Sequence, residues 1–160
     1  MQLPISLGNQ GFASLRENHC FYIDKTDFIR EWWEKGDSVT LITRPRRFGK
    51  TLTMSMVEQF FSVKYAGQQN LFEGLAIWKT KAYREIQGTY PVISLSFANL
   101  KEPSYELTRQ KVCDQLQQLY TEHAYIWESG ILKGADKSFF ERMLHNEKVE
   151  YVDATLALYK

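Results

Sequence analysis

Residues 38–51 run Ser38-Val39-Thr40-Leu41-Ile42-Thr43-Arg44-Pro45-Arg46-Arg47-Phe48-Gly49-Lys50-Thr51, and the chain changes character twice within them. Positions 38–43 form a β-branched, apolar run too short for a helix, and a charged, proline-containing turn follows at once, so they read as a buried strand. From Thr51 the period changes: Leu52, Met56 and Phe60 recur on one stripe with Val57 and Phe61 beside it, the spacing of an amphipathic helix. Strand, turn and helix are therefore expected across residues 38–62.

The turn carries the chemistry. Holding a phosphate at such a junction takes a curled backbone whose N–H groups point inward, a glycine where the chain approaches oxygen, a lysine that reaches the β and γ phosphates, and a hydroxyl for magnesium. Gly49, Lys50 and Thr51 match the last three requirements. The cofactor-binding candidates are accordingly Arg46, Arg47, Phe48, Gly49, Lys50, Thr51 and Leu52, with Thr51 as the metal candidate and ATP with Mg2+ as the expected cofactors. The first position of the usual P-loop pattern is a glycine, and here it is Arg44. A Gly-Lys-Thr tripeptide arises by chance in roughly one chain in ten at average residue frequencies, so the placement between strand signal and helix carries the reading. Residues 38–57 also hold Arg44, Arg46, Arg47 and Lys50 with no acid among them, a local basic field in a chain whose 20 Lys and Arg nearly balance 19 Asp and Glu.

Working outward, residues 26–36 show Thr26 as a cap, Asp27 in a first turn, Phe28, Ile29, Trp32 and Trp33 at helical spacing, and Gly36 as a stop. Residues 90–97, with Pro91 near the start, read as a second strand. Ser104 opens a long helix that keeps Tyr105, Val112, Leu116, Leu119 and Tyr120 on one face, and Ser138 with Glu141 makes a capping-box signal before Met143 and Leu144. Residues 151–160 read as a helix with apolar positions up to Lys160 and no stop signal. All four prolines fall in loops or at element starts, and no linker or repeat divides residues 1–160, so one domain is expected. Strands alternating with helices predict an α/β fold with parallel strands.

Beyond the loop the sequence resembles the bacterial AAA-ATPase-like proteins. Arg44 to Thr51 match their characteristic RPRRFGK[ST] loop, and Tyr22-Ile23-Asp24-Lys25-Thr26, Leu71-Phe72-Glu73-Gly74-Leu75 and Tyr90-Pro91-Val92-Ile93 match further signatures. The resemblance covers residues 4 to about 100. It makes Arg44 a family trait, and it implies a partial P-loop NTPase core, truncated before the strand that would carry the Walker B acids. It implies ATPase activity in a longer parent, with a nuclease-like C-terminal domain of the PD-(D/E)xK kind as a partner within that parent, and inactivity of this stretch alone. In related ATPases the segment before the core lies against adenine, which points to Tyr22 or the loop containing Phe12; read from the residues alone, Thr26 is a cap, Asp24 a turn residue and Tyr22 core.

Other classes find less support. Cys20 and Cys113 lie far apart with no histidine at ligand spacing, which argues against a zinc site, and no basic flank precedes an apolar run at the N-terminus. A soluble, cytoplasmic protein with reduced thiols is expected, without a membrane partner. Trp32, Trp33 and Trp78 read as core, His123 and His145 as surface, Cys113 as a buried thiol. No nucleophile–base pair presents itself, and the catalytic residues stay unknown. The expected partner is a nucleotide, with self-association through exposed apolar edges. The rival reading is a non-enzymatic interaction module whose basic loop docks an acidic partner or a nucleic-acid backbone.

Overall fold

The computed structural model describes residues 3–6, 8–45, 47–98, 100–145 and 157. These gather into two compact units, residues 1–92 and 93–160.

In the first unit, α1 (Phe12–Glu17), α2 (Asp27–Lys35), α3 (Lys50–Phe61) and α4 (Lys81–Ile86) are joined by loops and short 3₁₀ turns at Val63–Tyr65, Gln69–Leu71 and Ala76–Lys79. The α3 pattern works as its period demands: Thr53, Met56 and Phe60 turn inward with Gln59 and Phe61, while Thr51 and Met54 face out. They meet Phe12 of α1, Ile29 of α2 and the 71–77 segment, so that Phe72 stacks on Phe12 at 5.1 Å between centroids and meets Phe60 edge-on at 5.1 Å. Aromatic pairs at this spacing add about 0.5–1.5 kcal/mol each beyond their burial. Trp33 stacks on Phe61 (5.3 Å), and Tyr83 of α4 donates its hydroxyl hydrogen to Glu34 of α2 (2.8 Å). Gly36 ends α2 in the left-handed region at φ 64°, as its stop role requires.

In the second unit α5 (Tyr105–Glu122) is capped by Ser104, whose hydroxyl accepts from the Leu107 amide at 3.2 Å. Its Cys113 and Leu116 pack with Phe139 and Met143 of α7 (Gly134–His145), and α6 (Ala124–Glu128) lies between them in sequence. The capping box expected at Ser138 and Glu141 is not a helix start. The helix already begins at Gly134, and the Ser138 hydroxyl bonds back to the Gly134 carbonyl (3.4 Å) from inside it. The helix expected over 151–160 lies outside the described residues apart from Ala157, which is helical.

The expected α/β class is overturned. The described residues are helical, and no strand and no sheet forms among them, so the P-loop core with parallel strands and flanking helices is absent. Residues 38–43 and 91–97 form neither helix nor strand. The nearest approach to a sheet is one isolated parallel bridge, Ser62 to Tyr90, with the Val63 amide donating to the Tyr90 carbonyl (2.9 Å) and the Tyr90 amide to Phe61 (2.8 Å). Nor is the first run buried: Val39 and Leu41 stand 87% and 83% exposed. A β-branched run specifies extended dihedrals, but a strand is a property of a pair, and the run cannot supply its own neighbour. No described helix is long and apolar enough to cross a membrane.

Candidate functional site

The described residues of the loop 44–51 lead from irregular backbone into α3. Phe48 closes a turn onto the Pro45 carbonyl (3.4 Å), and the Gly49 carbonyl accepts the first bond of the helix from Thr53 (2.9 Å). That register leaves the amides of Lys50, Thr51 and Leu52 without a partner inside the helix, and no side chain caps them. Two described positions of the loop are left-handed, Gly49 at φ 76° and Arg47 at φ 68°. Glycine adopts this region freely, whereas arginine there is held against a cost of about 1–2 kcal/mol. Alternating the hand of successive residues turns their N–H groups toward a common concavity.

The Lys50 ammonium folds back over the loop, donating to the carbonyls of Arg44 and of Pro45 (3.3 Å for the latter). Phe48 is 62% exposed, and Arg44, Arg47, Lys50 and Thr51 are exposed as well. Leu52 packs against the core and anchors the helix start. Of the predicted site residues, Arg47, Phe48, Gly49, Lys50, Thr51 and Leu52 thus sit together at one helix entrance, while Arg46 lies outside the described residues.

The 22–26 segment takes a structural role. Asp24 Oδ1 accepts from both the amide (2.9 Å) and the hydroxyl (2.7 Å) of Thr26, and its Oδ2 accepts from the Ala76 amide (2.7 Å). The fully buried Thr26 hydroxyl oxygen accepts in turn from the Ile77 amide at 3.1 Å. Burial pushes the Asp24 carboxyl upward, but the bonds from Thr26 and Ala76 outweigh it, and the group ends below the usual carboxylate range. Arg16 holds the same 71–77 stretch from α1, donating Nε to the Leu71 carbonyl and Nη2 to that of Glu73, both at 2.7 Å. Tyr22 donates its hydroxyl to Met56 Sδ (3.3 Å) and packs edge-on to Phe12, with burial raising its phenol above the ordinary value. Phe12 is wholly buried. Phe12 and Tyr22 pack into the core of the first unit, Tyr22 in part, while Thr26 makes no cap bond with its side chain.

The fold also brings Lys25 to the loop. Its Nζ lies 3.9 Å from the point at which a Cβ on Gly49 would stand. Sequence reasoning gave Lys25 no role, because nothing in its spacing relates residue 25 to residue 49; the packing of α1, α2 and the 71–77 stretch does.

A family model described as predicted AAA-ATPase matches residues 6–157. The chain belongs to this family. An AAA-ATPase-like family points to nucleotide and metal use in general. The chain is also similar to a protein of Azotobacter chroococcum mcd 1, printed as an uncharacterized protein in the vnfD 5' region, at 36% identity over 102 residues. That alignment covers 60% of this chain and 17% of the relative's length. No solved structure matches this AAA-ATPase-like chain.

A triphosphate fits what the loop offers: amides at the α3 entrance with no partner among the described residues, a lysine that donates to two backbone carbonyls, and no carboxylate in the α3 first turn to oppose it. For magnesium the loop offers one side-chain oxygen, the Thr51 hydroxyl. Such an ion takes its other oxygens from phosphate and water. No group of three His, Cys, Asp or Glu gathers among the described residues.

A separate cavity of about 590 Å³ lies in the second unit, lined mainly by Leu116, Leu119, Tyr120, Ile126, Phe139 and Phe140. It shares no residue with the loop.

Proposed function

We propose that this chain binds a nucleoside triphosphate through residues 44–51 acting as a variant Walker A loop with Arg44 in the leading position. The observation that carries this reading is the α3 entrance itself, where the amides of residues 50–52, the left-handed turn at Gly49 and the Lys50 ammonium converge in a member of an ATPase-like family. In it the amides of Gly49 to Leu52 hold phosphate oxygens, Lys50 gives up the Arg44 and Pro45 carbonyls and neutralises the β and γ phosphates, and Thr51 supplies an oxygen to Mg2+. The bound metal screens phosphate charge; the chain's own groups fix position. We assign no general base and no water-orienting group, and we read the chain as a binder first.

Isothermal titration of the 160-residue chain with Mg-ATP, beside its Lys50→Ala variant and a short DNA duplex at several salt concentrations, tests this. Mg-ATP binding that Lys50→Ala removes supports the reading. Duplex binding with a steep salt dependence and no response to Mg-ATP establishes the interaction-module rival instead.

A further inference from the structure

Four described cations sit in or beside the 44–51 loop, and no ion pair among the described residues gives any of them a countercharge. Lys25, Arg44, Arg47 and Lys50 take part in no ion pair among the described residues; the pairs that form there, such as Arg30 with Asp27 and Glu34, or Lys111 with Glu102, lie elsewhere. Three of the four follow from the loop's own sequence. The fourth, Lys25, arrives from a stretch 24 residues upstream, and its position is enforced on both sides. The Asp24 oxygens are occupied by Thr26 and Ala76, Thr26 is buried against Ile77, and the Lys25 amide donates to the Tyr22 hydroxyl at 3.4 Å. Asp24 is the nearest carboxylate in sequence, and no ion pair joins it to Lys25 among the described residues. The backbone is therefore fixed while the lysine stem stays exposed, its ammonium beside Gly49.

Like charges gathered without an acid repel, and the arrangement is relieved only when an anion joins it. We infer that Lys25 is a second phosphate-binding cation of the site, reaching the polyphosphate of a nucleotide from outside the loop and adding to Lys50. This rests on the reading of residues 44–51 as a phosphate cradle. A lysine suits the position because a point charge on a flexible stem follows whichever oxygen the Gly49 and Lys50 amides present. The inference also gives the 22–26 signature a division of labour: Tyr22, Asp24 and Thr26 pin the backbone, and Lys25 faces the ligand.

The test compares Lys25→Gln, Lys25→Arg and Lys50→Ala with the unaltered 160-residue chain, titrating Mg-ATP, tripolyphosphate and adenosine and recording thermal melts. Lys25→Gln is expected to weaken Mg-ATP and tripolyphosphate by about tenfold, the worth of one charge-assisted contact, with adenosine binding and melting temperature unchanged. Lys25→Arg should restore most of the loss. Full-strength Mg-ATP binding by Lys25→Gln, while Lys50→Ala binds none, would overturn the role of Lys25 and leave the cradle standing. An equal loss for Mg-ATP and adenosine would overturn it too, by placing Lys25 at the base. If the unaltered chain binds neither Mg-ATP nor tripolyphosphate, the cradle and the inference fall together.

Discussion

Arg47 shows how a single residue can be placed by its neighbours against its own preference. At φ 68° it occupies a region that branched side chains avoid, and the loop keeps it there between the Pro45 turn and the α3 entrance. Arg47→Gly should leave stability unchanged or raise it by up to about 1 kcal/mol, whereas Arg47→Val should cost more than about 1 kcal/mol, as denaturant melts would show. Because the loop interior is made of amides and Lys50, changing Arg46 and Arg47 together to Ala should weaken Mg-ATP less than Lys50→Ala does; an equal loss in titration would make them direct phosphate ligands. Asp24 belongs to the same scale. Its folded carboxyl sits below its unfolded value near ~3.9, so the stability it contributes is present above that pH and is lost as pH falls through the folded value. Asp24→Asn should accordingly lower the melting temperature at pH 7, and the gap to the unaltered chain should narrow below about pH 4. A constant gap would show that the Thr26 and Ala76 bonds do not depend on the charge.

Elements were legible in the sequence where they carry their own punctuation. The second helix is bounded by Thr26 and Gly36, the third follows a glycine and a period of 3.6, and the fifth begins at Ser104, all signals confined to the element itself. Thr26 marks the boundary for a different reason than expected, since its side chain makes no cap bond and instead joins Asp24 to Ile77. The Ser104 cap does act locally, and Ser104→Ala should cost about 1 kcal/mol, measurable by urea unfolding. What the sequence concealed was everything needing a partner: the unpaired state of residues 38–43, the grip of Arg16 and Asp24 on residues 71–77, and the arrival of Lys25 at Gly49. The loop residues were legible because one octapeptide holds them, and Lys25 was not because only tertiary packing joins it to them.

At the scale of the whole molecule, the extended runs leave much apolar surface uncovered: Val39, Leu41, Ile93 and Phe97 are 87%, 83%, 71% and 58% exposed. Exposed apolar segments invite a second chain, and at residues 38–43 the backbone amides are bare as well among the described residues. Sedimentation velocity should show self-association that rises with concentration, and Val39→Lys with Leu41→Lys should reduce it; a monomer at all concentrations would remove that expectation. The same bare backbone has a consequence for solvent isotope exchange. In most proteins the most apolar runs are the slowest to take up deuterium, because burial and bonded amides coincide there. Here the two part company. None of the amides of residues 38–43 donates a bond among the described residues, while the amides of Ala76, Ile77, Gly88 and Tyr90 are all bonded. In dilute solution Val39 to Thr43 should therefore be labelled within the earliest time points despite their apolar sequence, and the amides of Ala76, Ile77, Gly88 and Tyr90 later.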